Sequence, residues 1–158
     1  MKRPRSKLKL AQDAADATPW TTVEFKSALT EVRTVECDIL SSCKLHGFGE
    51  DDLFAIKLAL EEALVNAVKH GNKLSPDKTV RVKYHITNMR ADIVVEDQGA
   101  GFNPAEVPDA TDDQHLEMCS GRGILLMRAY MTSVVFSPAG NKVTLTRFND
   151  AYRATAMG

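Results

Sequence analysis

Cysteine is scarce in this chain, and the three present have no metal-binding arrangement. Cys37, Cys43 and Cys119 are odd in number and match no ligand spacing. That excludes a disulfide framework and reads as reduced thiols in an intracellular protein. No apolar run approaches the ~20 residues that span a bilayer, and the N-terminus lacks the apolar stretch of a signal peptide. The expected location is therefore the cytoplasm, with no membrane partner. Neither sign of charge dominates: 20 Lys and Arg stand against 21 Asp and Glu, a formal net charge of −1. Such a balance gives no general case for direct contact with nucleic acid. No internal repeat is visible, and nothing marks a second domain.

What is present suits one soluble globular domain with a real core: 158 residues, 44% hydrophobic and 26% charged. The first ten residues, MKRPRSKLKL, carry Lys2, Arg3, Arg5, Lys7 and Lys9 and no acid. They read as part of a flexible basic tail over residues 1–18. The ordered domain is expected over 19–150, with a short C-terminal tail over 151–158. TTVEFKS supplies a first strand, and apolar residues at helical spacing over 28–44 a first helix. A second helix opens on Glu50, Asp51 and Asp52, acids that suit its positive end, and runs to about His70, where Gly71 stops it. Two strands, TVRVKYHI and ADIVVED, are joined by a tight turn around Asn88. Then come an irregular stretch over 98–120, a helix in RGILLMRAYM, and strands in SVVFS and KVTLTRF about a PAGN turn. This order predicts an α/β (α+β) two-layer sandwich, a mixed sheet covered on one face by helices.

Three local features stand out. In EEALVNAVKHGN, Glu62 and Asn66 lie four apart, nearly opposite the stripe of Ile56, Leu60, Ala63, Leu64 and Ala67 that can lie on a sheet. A carboxylate among apolar neighbours is costly unless paired or used. In EDQGAGF, the alternation of Ile93, Val95 and Asp97 puts an acid on a buried face, where a ligand amine can donate to it. Gly99 and Gly101 follow and allow close backbone approach to a flat ring or a phosphate. In SGRGILLM, Gly121 and Gly123 open a helix whose free N–H groups suit a phosphate chain, and Arg122 adds a cation. Together they describe a ligand with an amine-bearing base over Asp97, phosphates at Gly121–Gly123, and a Mg²⁺ at Asn66. Glu62, one turn away, is placed to take a proton from whatever attacks the γ-phosphate.

ExxxN, DxGxG and GxG in this order and spacing resemble the gyrase, histidine-kinase and MutL type of ATP-binding (Bergerat) fold, over about Val23 to Phe148. Within it the chain looks like the bacterial anti-sigma-factor serine kinases. The resemblance implies that Glu62 is the catalytic base, Asn66 the magnesium ligand and Asp97 the acid that binds the adenine amino group. It implies that Gly99 and Gly101 flank the base and that Gly121 and Gly123 belong to the phosphate-contacting lid. Asn141 follows Gly140 where many members have Gly-Thr, and is assigned to the adenine end. Members pass the γ-phosphate of ATP to a serine of a small anti-anti-sigma protein, hold a sigma factor, and are often dimers, so a homodimer is also expected. A histidine kinase would need a preceding helical segment with a phospho-acceptor histidine, and gyrase- or MutL-type enzymes a further domain after this fold; neither is seen. Two readings remain open. Glu62 favours a kinase; Glu106, Asp109, Asp112, Asp113 and Glu117, with no Lys or Arg between Phe102 and Ser120, repel a triphosphate and favour a nucleotide-sensing partner switch.

Overall fold

A computed structural model describes residues 18–103 and 121–156 of the chain. The basic tail before Thr18 and the five acids of the 102–120 stretch lie outside the described residues. Strand β1 (Thr21–Lys26) is followed by helices α1 (Leu29–Leu45) and α2 (Glu50–Val65) and a π-helical segment, Asn66–Gly71. Strands β2 (Thr79–Ile86) and β3 (Arg90–Glu96) come next. Helix α3 (Gly121–Tyr130), strands β4 (Ser133–Phe136) and β5 (Lys142–Phe148), and helix α4 (Asp150–Ala156) complete the order.

The strands form one sheet in the order β1-β2-β3-β5-β4. Every pairing in it is antiparallel, which corrects the expectation of a mixed sheet. The reason lies in the crossings. One helix between two strands would return the chain for a parallel pairing, whereas α1 and α2 together make two passes and deliver β2 antiparallel to β1. The two-layer arrangement itself is as expected.

Alternation along the strands selects the covered face. Val82 faces Val95 across β2 and β3, Tyr84 faces Ile93, and Ile93 and Val95 face Leu145 and Val143 of β5. Against this surface α2 lays Ile56, Leu60 and Leu64, all fully buried, and α1 adds Val32, Val35, Ile39 and Cys43. Burying each such aliphatic side chain contributes about 1.5–3 kcal/mol, so the stripe read from the sequence is the main attachment of α2. Burial pushes the Cys43 thiol up to about 12, consistent with an inert packing residue. The far side of the sheet carries Arg81, Lys83, Glu96 and Lys142; Arg81 pairs with Glu24 there at 3.3 Å.

Two buried polar nodes tie the ends together. Asp52, 2% exposed, accepts from the Arg147 guanidinium at 2.7 Å and from the Asp150 N–H at 2.9 Å. This anchors the start of α2 to the end of β5. Asn149 donates to the Asn88 carbonyl at 2.8 Å and accepts from the Ala151 N–H at 3.1 Å, capping α4. The expected C-terminal tail is therefore a short helix over Asp150–Ala156, with no buried residue of its own. Among the described residues, no helix is long and apolar enough to cross a membrane.

The second helix differs from expectation in its last turn. Regular α geometry ends at Val65, and the Asn72 N–H reaches back five residues to the Ala67 carbonyl at 2.8 Å. A π turn accommodates one extra residue, and such turns occur at functional sites more often than elsewhere.

Candidate functional site

The π-helical segment, the end of β3 and the start of α3 line one cleft. Its walls are mainly apolar: Ala63 and Ala67 from the helix, Val95 and Val143 from the sheet, Ile124 and Met127 from α3. Polar groups enter at few points. Of the residues nominated from the sequence, Asn66, Asp97, Gly101 and Asn141 line this one cleft. Gly99 lies beside it and donates its N–H to Asp97 Oδ1 at 2.8 Å.

Glu62, Arg122 and Gly123 are not among the residues that line the cleft. Glu62 is half-buried on the last regular turn of α2, one turn before Asn66. Gly121, exposed Arg122 and buried Gly123 begin α3, immediately before the lining residue Ile124.

Asp97 continues the β3–β5 pairing by one residue, its N–H donating to the Asn141 carbonyl at 2.9 Å. The Asn141 side chain donates to the Asp97 carbonyl at 3.4 Å and accepts from the Ser137 hydroxyl at 3.3 Å. Asn141 thus braces the backbone that carries Asp97. Burial pushes the Asp97 carboxyl above its ordinary value; the Gly99 N–H and the Lys78 charge pull it part of the way back. The Gly99 N–H takes Oδ1, and Oδ2 lies on the side of Gly71.

Two glycines set how closely the backbone approaches. Gly101 has φ +75°, and a Cβ there would lie 1.8 Å from the Ala139 carbonyl oxygen. The loop after β3 is thereby seated on the turn before β5, and only glycine permits both conditions. Gly71 reads from sequence as a helix stop and nothing more. In the structure a Cβ on it would lie 2.3 Å from Asp97 Cγ and Oδ2, so the carboxylate occupies the space a side chain would fill. The residues missed by the sequence reading are thus Gly71, the apolar walls on α3, and buried Asn72. Their signal, HGN at the end of a helix, is indistinguishable locally from an ordinary stop.

Gly71→Ala is expected to weaken ligand binding at least tenfold, because the new methyl displaces Asp97. The φ of Gly71 is not positive, and the three atoms nearest a Cβ there all belong to the Asp97 carboxyl. The double change Gly71→Ala with Asp97→Ala should therefore recover the melting temperature but not the binding. Calorimetry and thermal melts on both variants check this; a single variant binding as wild type would show that the carboxylate moves freely.

Comparison with known proteins bears on this site. The histidine kinase-like ATPase domain family matches residues 25–147. The serine-protein kinase RsbW of Bacillus licheniformis is 33% identical over 111 residues, covering 65% of this chain and 68% of that protein. The anti-sigma F factor of Geobacillus stearothermophilus is 31% identical over 105 residues, covering 65% of this chain and 71% of that protein. Among solved structures, the RsbU and RsbW domains of a Mycobacterium tuberculosis protein superpose with a TM-score of 0.53 at 18% identity, over 84% of this chain and 32% of that one. That likeness speaks for the fold alone. With the match spanning nearly the whole described domain, the chain belongs to the histidine kinase-like ATPase domain family, and bacterial serine-protein kinases and anti-sigma factors are among its relatives.

Proposed function

We propose that the cleft binds ATP and that the chain passes the γ-phosphate to a serine of a small anti-anti-sigma protein, regulating a sigma factor by exchange of partners. The observation that carries this reading is the setting of Asp97: the one carboxylate, half-buried, among the described residues that line a mainly apolar cleft. Such a site suits a flat base presenting an amine. The names of the relatives, serine-protein kinase and anti-sigma factor, support the choice of acceptor and partners.

In this reading Asp97 accepts from the adenine amino group, and Ile124 and Met127 pack on the ring. Backbone N–H groups at Gly121 and Gly123, with Arg122, receive the phosphates. Asn66 lines the cleft and carries an amide oxygen, and among the described residues no group of three or more His, Cys, Asp or Glu forms a metal cage. That donor set fits Mg²⁺, which keeps most of its shell as water and phosphate oxygen. Asn66 would hold the ion, which when bound offsets charge on the phosphates. Glu62 accepts the proton of the attacking serine hydroxyl as the serine oxygen bonds to the γ-phosphorus. The bond from that phosphorus to the β–γ bridging oxygen breaks, and ADP leaves.

The test is to incubate the protein with labelled ATP, Mg²⁺ and candidate anti-anti-sigma proteins. Label should appear on one serine and vanish when that serine is replaced by alanine. Binding of ATP and partner without transfer would instead favour the nucleotide-sensing switch, which the acidic residues Glu106 to Glu117 support.

A further inference from the structure

We propose that Asn72 is a positioning residue for base recognition, holding Asp97 at the correct distance and orientation in the cleft. The inference rests on the reading of Asp97 as the adenine acceptor. Asn72 is completely buried, unusual for an amide, and both ends of its side chain are engaged. Its Oδ1 accepts from the Gln98 N–H at 2.8 Å, and its Nδ2 donates to the Thr79 carbonyl at 2.9 Å. The Gln98 side chain in turn accepts from the Thr79 N–H at 2.8 Å. The three residues close a hydrogen-bonded ring joining the end of the π-helical segment, the start of β2 and the residue after Asp97.

The neighbouring contact gives the ring its purpose. Gly71 lies against the Asp97 carboxylate with no room for a Cβ, and Asn72 lies against Gln98 one residue further along each segment. The separation of the two segments therefore sets where the carboxylate stands, and the Asn72 amide holds that separation. Only a group that donates and accepts at once serves both partners. An apolar residue would leave the Gln98 N–H and the Thr79 carbonyl without these partners. Asn72 does not line the cleft, so it acts on a ligand through Asp97.

The test compares affinities for ATP and for inosine triphosphate, which carries a carbonyl where adenine carries its amine. Wild type should prefer ATP, because a carboxylate repels the carbonyl. Asn72→Ala should lower that preference by about tenfold or more, the scale of one well-placed hydrogen bond. Gln98→Ala, at an exposed position, removes one side of the ring and should shift the ratio in the same direction. Asn149→Ala removes a buried amide whose side chain makes three hydrogen bonds far along the chain; it should lower the melting temperature and leave the ratio unchanged. A wild-type ratio in folded Asn72→Ala overturns the inference, and if that variant does not fold, a wild-type ratio in Asn72→Asp, which keeps the size of the side chain but cannot donate to the Thr79 carbonyl, does so. A wild type that fails to bind ATP, or that binds both nucleotides equally, removes the adenine reading itself and this inference with it.

Discussion

Replacing Glu62 by glutamine is expected to leave ATP binding nearly unchanged and to reduce phosphoryl transfer by roughly 10²–10⁴-fold, the usual contribution of a positioned general base. Glutamine keeps the size of the side chain and one acceptor oxygen but cannot take the serine proton. Binding should persist because Glu62 is not among the residues lining the cleft. It sits half-buried on the last regular turn of α2, whose opposite stripe of Ile56, Leu60 and Leu64 anchors the helix. The fold should therefore tolerate the change. Single-turnover transfer to the partner serine, measured beside calorimetric ATP affinity, separates the two effects. Equal transfer by wild type and variant would remove the base assignment while leaving a kinase in place.

Asp97→Asn should cost about 100-fold in nucleotide affinity without destabilising the free protein. The carboxylate has two acceptor oxygens, and one already receives the Gly99 N–H at 2.8 Å. Asparagine has one acceptor. Turned towards Gly99 it presents an NH₂ group to the adenine amine, and turned the other way it presents NH₂ to the Gly99 N–H. Either orientation sets donor against donor, a loss of about 3 kcal/mol, or roughly two decades in Kd.

The stability of the free protein should move the opposite way. Burial is the largest cause raising the Asp97 carboxyl above its ordinary value. A carboxyl easier to ionise in the unfolded chain than in the folded one lowers stability as pH rises above its unfolded value, with the full cost present above its folded value. Near neutral pH the asparagine variant escapes that cost. Its melting temperature without nucleotide should equal or exceed that of wild type, and the difference should fade as the solution is acidified below the ordinary carboxylate range. Unchanged calorimetric affinity would take Asp97 out of the site.

The elements with strong periodicity were legible from sequence. The alternation in TVRVKYHI corresponds to β2 residue for residue, and the helical stripe from Ile56 to Leu64 lies in α2, with Ala67 beyond it in the π-helical segment. The antiparallel character of the whole sheet was not legible, since it depends on the number of passes between strands rather than on any one strand. Helix α4 was missed because DAYRATA buries nothing, and a helix without an apolar stripe leaves no periodic trace. In the site, Asp97 announced itself as an acid in phase with Ile93 and Val95. The bond between Asn72 and Gln98 joins positions 26 apart, so only the assembled fold pairs them. Gly71 looked like a terminator for the same reason: its partner, the Asp97 carboxylate, is remote in sequence.

The π turn makes this part of the chain sensitive to counting in one direction more than the other. It already holds one residue more than a regular turn of the same angular span, so deleting one residue between Asn66 and Gly71, such as exposed Lys69, would let the turn revert to α geometry with the residues beyond it still in phase. Adding a residue has no such outlet. A helix advances by about 100° per residue, so an insertion would swing Gly71 away from the Asp97 carboxylate and Asn72 away from Gln98. Variation in length in this segment should therefore appear as loss of the extra residue and not as further insertion.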